Sequence, residues 1–203
     1  MEVKCSKCGQ SFEAATYQSI NISTNPHLKE KVRDGSLFLA DCPYCGTRNL
    51  LKYNTLYHDS SAKLMIWLLP DGFDLPAGIM EAVRELNGYT IRRVREAGDL
   101  IEKVCIADAG LEDTVMEVCK WVTRQELAAK NPEAASAKMR FLRLEGADHD
   151  LVMAFPLNGA MNMVNVGFNV YEDAKAILSR NPSIKPEDGF AEVDAGWADK
   201  MFR

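Results

Sequence analysis

Long apolar runs are missing from this 203-residue chain. The longest, residues 64–69, has six residues, against the roughly 20 that a membrane helix needs. A positive surplus is missing too, since 24 basic residues face 29 acidic ones for a net charge of −5. That sign argues against a protein whose main work is coating nucleic acid or an anionic membrane. Histidine is scarce, at three residues. No glycine-rich phosphate loop, nucleophile elbow or HExxH sequence occurs. These gaps remove each specific reason to propose a reaction, so the expectation leans away from an enzyme without excluding one. The opening residues, Met1-Glu2-Val3-Lys4-Cys5, form no apolar signal core, and a cytoplasmic location is expected. What remains is ordinary globular material, 47% hydrophobic and 26% charged.

Six cysteines fall into two classes. Four are paired, as Cys5-Ser6-Lys7-Cys8-Gly9 and Cys42-Pro43-Tyr44-Cys45-Gly46. Two residues between cysteines let a tight turn bring both sulfurs to one ion, and the following glycine accepts the positive φ of such a turn. In a reducing compartment this set reads as metal ligands rather than disulfides. Two turns supply four thiolates in a tetrahedron, which suits Zn²⁺ at Cys5, Cys8, Cys42 and Cys45. Iron takes the same ligands, and metal analysis or colour separates the two. Redox chemistry of the thioredoxin kind wants a single pair opening a helix, and residues 10–14 read instead as extended chain. Four cysteines close the coordination shell, so a zinc here is expected to be structural rather than catalytic.

The stretch between the pairs exceeds the 15–20 residues of a compact ribbon. A short inserted helix accounts for it, with Asn25 as cap, Pro26 at its first position and Gly35 at its end. With these features in place, the first half resembles the CpXC domain, a bacterial and archaeal family of uncharacterised function. The resemblance rests on the two cysteine pairs, Asn25-Pro26-x-Leu28-Lys29, Gly35, Leu56-Tyr57-His58-Asp59 and the strand ending at Pro70. Leu100-Ile101-Glu102-Lys103-Val104 and Gly110-Leu111-Glu112-Asp113 extend it to about residues 2–128. It implies four cysteine ligands and supplies no reaction. Ser6 stands where the family's name expects proline, which is expected to loosen the first turn.

Along the chain, residues 11–23 read as extended, and residues 49–57 and 63–69 as a hairpin turning at residues 57–61. A small antiparallel sheet is thus expected to carry the metal turns. Helices are expected over residues 75–87, 97–107 and 111–130, with residues 89–94 a strand or connector. Residues 130–136 are the best linker. Strands follow at 139–144, 151–156 and 161–168, then helices at 171–180 and, capped by Asp194, at 195–202. No internal repeat is apparent. The class is α+β, an N-terminal four-cysteine zinc ribbon with an inserted helix, then helices and a C-terminal antiparallel sheet. The expected division is 1–128 (ribbon 1–70, helical part 75–128) and 138–203, with packing of the two as one unit left open.

Bland readings compete with the sharper ones. Cys105 and Cys119 sit among Ile101, Val104, Val115, Val118 and Val122, and read as core. His58-Asp59 suggests an acid–base pair, but neighbours on a strand face opposite ways, and a turn is the plainer reading. Glu112-Asp113 and Glu187-Asp188 read as the first turns of helices. Lys29, Arg33, Arg48 and Lys52 are the only plausible phosphate-contacting cluster, too few for strong non-specific nucleic-acid binding. Leu28, Val32, Tyr53, Leu56 and Tyr57 would offer a protein-docking face if exposed, and core if not. A protein-binding role is therefore expected, with nucleic-acid binding as the alternative and an unrecognised enzyme as the second. No membrane partner is expected.

Overall fold

The computed structural model describes residues 1–75, 78–84 and 86–202. It is a mixed α+β protein whose chain divides into two compact units, Met1–Ile101 and Glu102–Arg203. Among the described residues no helix is long and apolar enough to cross a membrane.

The first unit begins with a hairpin, β1 (Glu2–Lys4) and β2 (Ser11–Glu13), paired antiparallel. β3 (Ser19–Asn21) leads to α1 (Leu28–Arg33), which buries Leu28 and Val32 four residues apart on one face. Asn25 does not cap this helix. Its side chain turns to Thr24, and its carbonyl accepts the Leu28 N–H at 3.0 Å. Gly35 follows with φ +76°, where a side chain would be strained, and Cδ1 of Ile101 lies 3.5 Å from where its Cβ would be. A 3-10 turn, Ser36–Phe38, then enters a second hairpin of β4 (Leu39–Asp41) and β5 (Arg48–Leu50).

The two hairpins repeat each other, contrary to the expectation of no repeat. Val3 pairs with Phe12 as Ala40 pairs with Asn49, and Lys4 with Ser11 as Asp41 with Arg48. The cysteines and glycines repeat in sequence, but the strands around them repeat in backbone alone, because their side chains differ.

β6 (Thr55–Asp59) and β7 (Leu64–Leu68) pair antiparallel, β3 joins β6 in parallel, and β8 (Thr90–Val94) joins β7 in parallel. This four-stranded sheet is mixed rather than antiparallel as expected. The expected strand over 49–57 is two elements: its start closes the second hairpin and its end enters this sheet. His58 and Asp59 lie in β6, not in the turn, because the Asp59 carboxylate gathers the turn's donors from below. It accepts the Ser61 N–H and O–H at 3.1 and 2.6 Å and the Ala62 N–H at 3.1 Å. β7 is buried along its whole length, as its unbroken apolar run requires. The helix expected over 75–87 is the shorter α2 (Ile79–Arg84); residues 76, 77 and 85 of that expectation lie outside the described residues.

The division between units falls inside α3 (Ala97–Asp108). In the second unit, α4 (Asp113–Lys130) starts at Glu112-Asp113 as expected. The segment expected as a linker is a 3-10 turn, Pro132–Ser136, capped by Asn131 accepting the Glu133 N–H, with Ala134 buried. β9 (Arg140–Glu145), β10 (Asp150–Leu157) and β11 (Ala160–Val166) form an antiparallel sheet in the order β11-β10-β9. Asn158-Gly159 makes the two-residue turn between β10 and β11, both residues with positive φ. α5 (Phe168–Arg180) and α6 (Ala195–Phe202) close the chain. Asp194 caps α6 by accepting the Trp197 N–H at 2.9 Å. Glu187-Asp188 precede no helix start, since α6 begins seven residues later.

The second unit's core joins Phe141, Leu151, Met153 and Phe155 of the sheet to Val115, Met116, Cys119 and Tyr171 of the helices. Cys119 is fully buried there, and burial pushes its thiol up to about 12. Cys105 packs against the same cluster. Both match the expected core reading.

Candidate metal centre

Each hairpin of the first unit folds its turn by the same two backbone bonds. Cys5 N–H donates to Gln10 C=O at 2.9 Å and Gly9 N–H to Cys5 C=O at 3.0 Å. Cys42 N–H donates to Thr47 C=O at 2.9 Å and Gly46 N–H to Cys42 C=O at 2.8 Å. Gly9 and Gly46 have φ of +73° and +69°, the left-handed conformation the sequence pattern anticipates. In the first turn the Lys7 and Cys8 N–H groups reach the Cys5 sulfur, and after the second the Thr47 N–H reaches the Cys45 sulfur.

The structure brings the four sulfurs of Cys5, Cys8, Cys42 and Cys45 together, all within 4.8 Å of one another. Cys5 Sγ lies 3.6 Å from Cys45 Sγ and Cys8 Sγ 3.7 Å from Cys42 Sγ. A disulfide would need about 2.05 Å. A tetrahedron with Zn–S bonds of about 2.3 Å has edges of roughly 3.8 Å. The donor set thus fits a tetrahedral, thiophilic ion, and each close approach joins one turn to the other.

Burial is uneven around the cluster. Cys5 and Cys42 are buried, Cys45 is half-buried and Cys8 is exposed. The electrostatics are uneven as well. The Cys8 and Lys7 N–H groups pull the Cys5 thiol down to about 6, against the effect of burial. The Gln10 N–H pulls Cys8 the same way, but burial and three neighbouring sulfurs outweigh it and push that thiol up to about 12. Thr47, through its hydroxyl and its N–H, lowers Cys45. A bare cluster of this kind holds protons that a cation would displace.

A family model described as CpXC protein matches residues 3–120. The chain belongs to the CpXC family. No curated protein and no solved structure matches it. The match takes in both cysteine turns and runs on into α4, so the CpXC stretch crosses from the first compact unit into the second.

Other sequence candidates separate from the cluster. His58 Nε2 lies 3.3 Å from the Tyr89 hydroxyl, while Asp59 bonds to Ser61, Ala62 and Lys29. The carboxylate therefore does not orient the imidazole. Burial raises the Asp59 carboxyl, but the Ser61 hydroxyl, the Ala62 N–H and Lys29 together hold it down at about 2. In the CpXC stretch the sequence reading missed two features. One is Asn49, a buried amide between the cysteine turns. The other is a buried ion cluster on α3 and α4. There Lys120 meets Glu117 at 2.6 Å and Glu102 at 2.8 Å, and Lys103 meets Asp113 at 3.0 Å and Glu117 at 3.4 Å. Lys103 also donates to Val193 C=O at 2.6 Å, and Glu102 accepts the Phe141 N–H at 2.7 Å. The i,i+3 spacing of Glu117 and Lys120 inside an otherwise apolar turn of α4 was the one available signal.

Proposed function

We propose that this CpXC protein is a cytoplasmic structural-zinc protein that works by binding another protein. The observation that carries the metal is the pair of sulfur–sulfur approaches at 3.6 and 3.7 Å, which match the edge of a zinc–thiolate tetrahedron. Four thiolates leave no open position, which supports a structural over a catalytic ion. Zinc would link two hairpins whose own strands are three residues long and contribute little by themselves.

Two observations support a protein over a nucleic acid as partner. Three of the four basic residues suited to phosphate already pair with carboxylates: Lys29 with Asp59, Arg33 with Glu30 and Arg48 with Asp41. And β11, Ala-Met-Asn-Met-Val-Asn-Val, is a sheet edge with no charged residue, with Met161 and Met163 69% and 64% exposed. Edge strands of globular proteins are usually defended by charge, proline or bulges. The opposite edge, β9, has Arg140, Arg143, Glu145 and a register shift facing it. An uncharged extended strand of a partner fits β11 by backbone pairing. The docking face considered from sequence is core instead, with Leu28, Val32, Tyr53 and Tyr57 buried and Leu56 half-buried.

Metal analysis of purified protein should give one zinc per chain, lost in Cys42→Ser and kept in Cys105→Ala. Iron, or zinc that survives Cys42→Ser, would overturn the assignment. Fluorescence anisotropy with labelled DNA and RNA should show weak binding near physiological salt. Submicromolar affinity that collapses between about 50 and 200 mM salt, and that a Lys29→Glu, Arg33→Glu double variant abolishes, would replace the protein partner with a nucleic acid.

A further inference from the structure

Asn49 occupies the position in β5 that Phe12 occupies in the repeated β2, each facing the interior from the middle of a three-residue strand. One hairpin thus buries an amide where its twin buries a ring. Core packing gives no reason for that exchange, because an amide costs free energy to bury unless its bonds are met. Here they are all met. Oδ1 accepts the Ser6 N–H at 2.9 Å and the Ser6 hydroxyl at 3.0 Å. Nδ2 donates to Thr47 C=O at 2.7 Å and lies 3.8 Å from Cys5 Sγ. Two acceptor sites and two N–H bonds are the whole capacity of the side chain.

The partners matter more than their number. Ser6 lies between ligands Cys5 and Cys8, and Thr47 follows Cys45 and Gly46, so one amide bridges the first turn to the second. Each turn fixes its own two sulfurs through its local backbone bonds. Nothing in those local bonds sets one pair against the other. The Asn49 bridge does, and its N–H adds a third donor to Cys5 beside the N–H groups of Cys8 and Lys7. Ser6 is also the residue at which this chain departs from the proline of the family's name. Proline has neither an N–H nor a hydroxyl, so it would remove both donors that Oδ1 receives. The departure expected to loosen the turn also supplies it with two bonds to the neighbouring hairpin.

We propose that Asn49 is a positioning residue for the four-thiolate centre, latching the two cysteine turns in register through Ser6 and Cys5. This rests on the metal reading above. Outer partners of metal ligands commonly change affinity by roughly 10–100-fold when removed, and that is the loss expected for Asn49→Ala. The test uses the full chain, made metal-free under reducing conditions and titrated with Co²⁺, with Zn²⁺ competition giving the zinc affinity. Wild type should show tetrahedral thiolate–cobalt absorption; its absence would defeat the metal reading itself. With wild type binding, Asn49→Ala should bind both ions more weakly and shift the cobalt bands. Unchanged affinity and band positions would overturn the latch and leave the metal centre standing. Ser6 is exposed, so its variants test the same bridge should Asn49→Ala fail to fold. Ser6→Thr should keep wild-type affinity, Ser6→Ala should lose part of it, and Ser6→Pro should lose most. Equal affinity for Ser6→Thr and Ser6→Pro would overturn the proposal. So would an undiminished effect of Ser6→Pro in a folded Asn49→Ala background, since the two changes would then act through separate contacts.

Discussion

At the cysteine turns, four thiols are gathered in a set that suits an ion from outside the chain. In α3 and α4, buried carboxylates meet the chain's own lysines. Both clusters lie within the residues matched to the CpXC family, one in each compact unit. The first is assembled from thin local hairpins, and its ligands have little apolar cover around Cys8 and Cys45. The second is set among fully buried helix residues, with Glu102, Lys103, Asp113, Glu117 and Lys120 each less than one-tenth exposed. The contrast separates two ways of tolerating buried polar chemistry. On the metal reading proposed above, one would depend on a solute and on its thiols staying reduced; the other depends on every partner being present in the sequence.

Removing the metal should have the largest effect, and only on the first cluster. Chelation, or Cys42→Ser, should abolish hydrogen-exchange protection in β1, β2, β4 and β5 while β9, β10 and β11 stay protected, because the binding free energy of such a site is folding free energy. Loss of protection throughout the chain would show that the two clusters are not independent.

The next largest effect is expected at Lys120. Lys120→Met takes from Glu102 its ammonium and leaves Glu117 only the longer contact to Lys103 at 3.4 Å, and breaking a buried pair in this way costs about 3–5 kcal/mol, read as a shift in the denaturation midpoint. Glu117→Gln should cost less. Three carboxylates meet two ammoniums here, Glu117 Oε2 has no hydrogen-bond partner among the described residues, and burial pushes this carboxyl up despite Lys120 and Lys103. A raised carboxyl favours folding below its unfolded value and loses that contribution as pH rises through its folded value. Wild type should therefore lose stability as pH rises through that raised range, and Glu117→Gln should not.

The smallest change is expected at Asp59, where losing charge-assisted bonds through Asp59→Asn should cost about 1–2 kcal/mol at neutral pH. A depressed carboxyl contributes its stability above its unfolded value and loses it as pH falls through the folded one. The Asp59 carboxyl resonance should accordingly titrate near pH 2, well below an ordinary aspartate.

The four cysteines were legible because their chemistry is written into neighbouring residues: two sulfurs, a two-residue gap and a glycine, twice over. The long helices and the C-terminal strands were legible for a similar reason, since apolar periodicity over six to eighteen residues is a local signal. Asn49 was not, because one asparagine in a strand has no signature until the turn it reaches is in place. Lys103 and Lys120 were missed because charged residues on helices normally mark the solvated face. The parallel pairing of β3 with β6 and of β7 with β8 brings together residues far apart in the chain, and no single segment announces it.

The repeated hairpins also imply an order of events in time. Each cysteine pair closes a loop of a few residues, whereas uniting the pairs closes the long insert that carries β3 and α1. Closure entropy grows with loop length, and contacts distant in sequence form late. An ion captured first by either pair would be held by two sulfurs while the second hairpin searches for it. Assembly would then have a half-liganded stage whose lifetime depends on the insert rather than on the ligands. Lengthening the stretch before α1 should slow metal uptake while leaving the finished site's absorption spectrum unchanged.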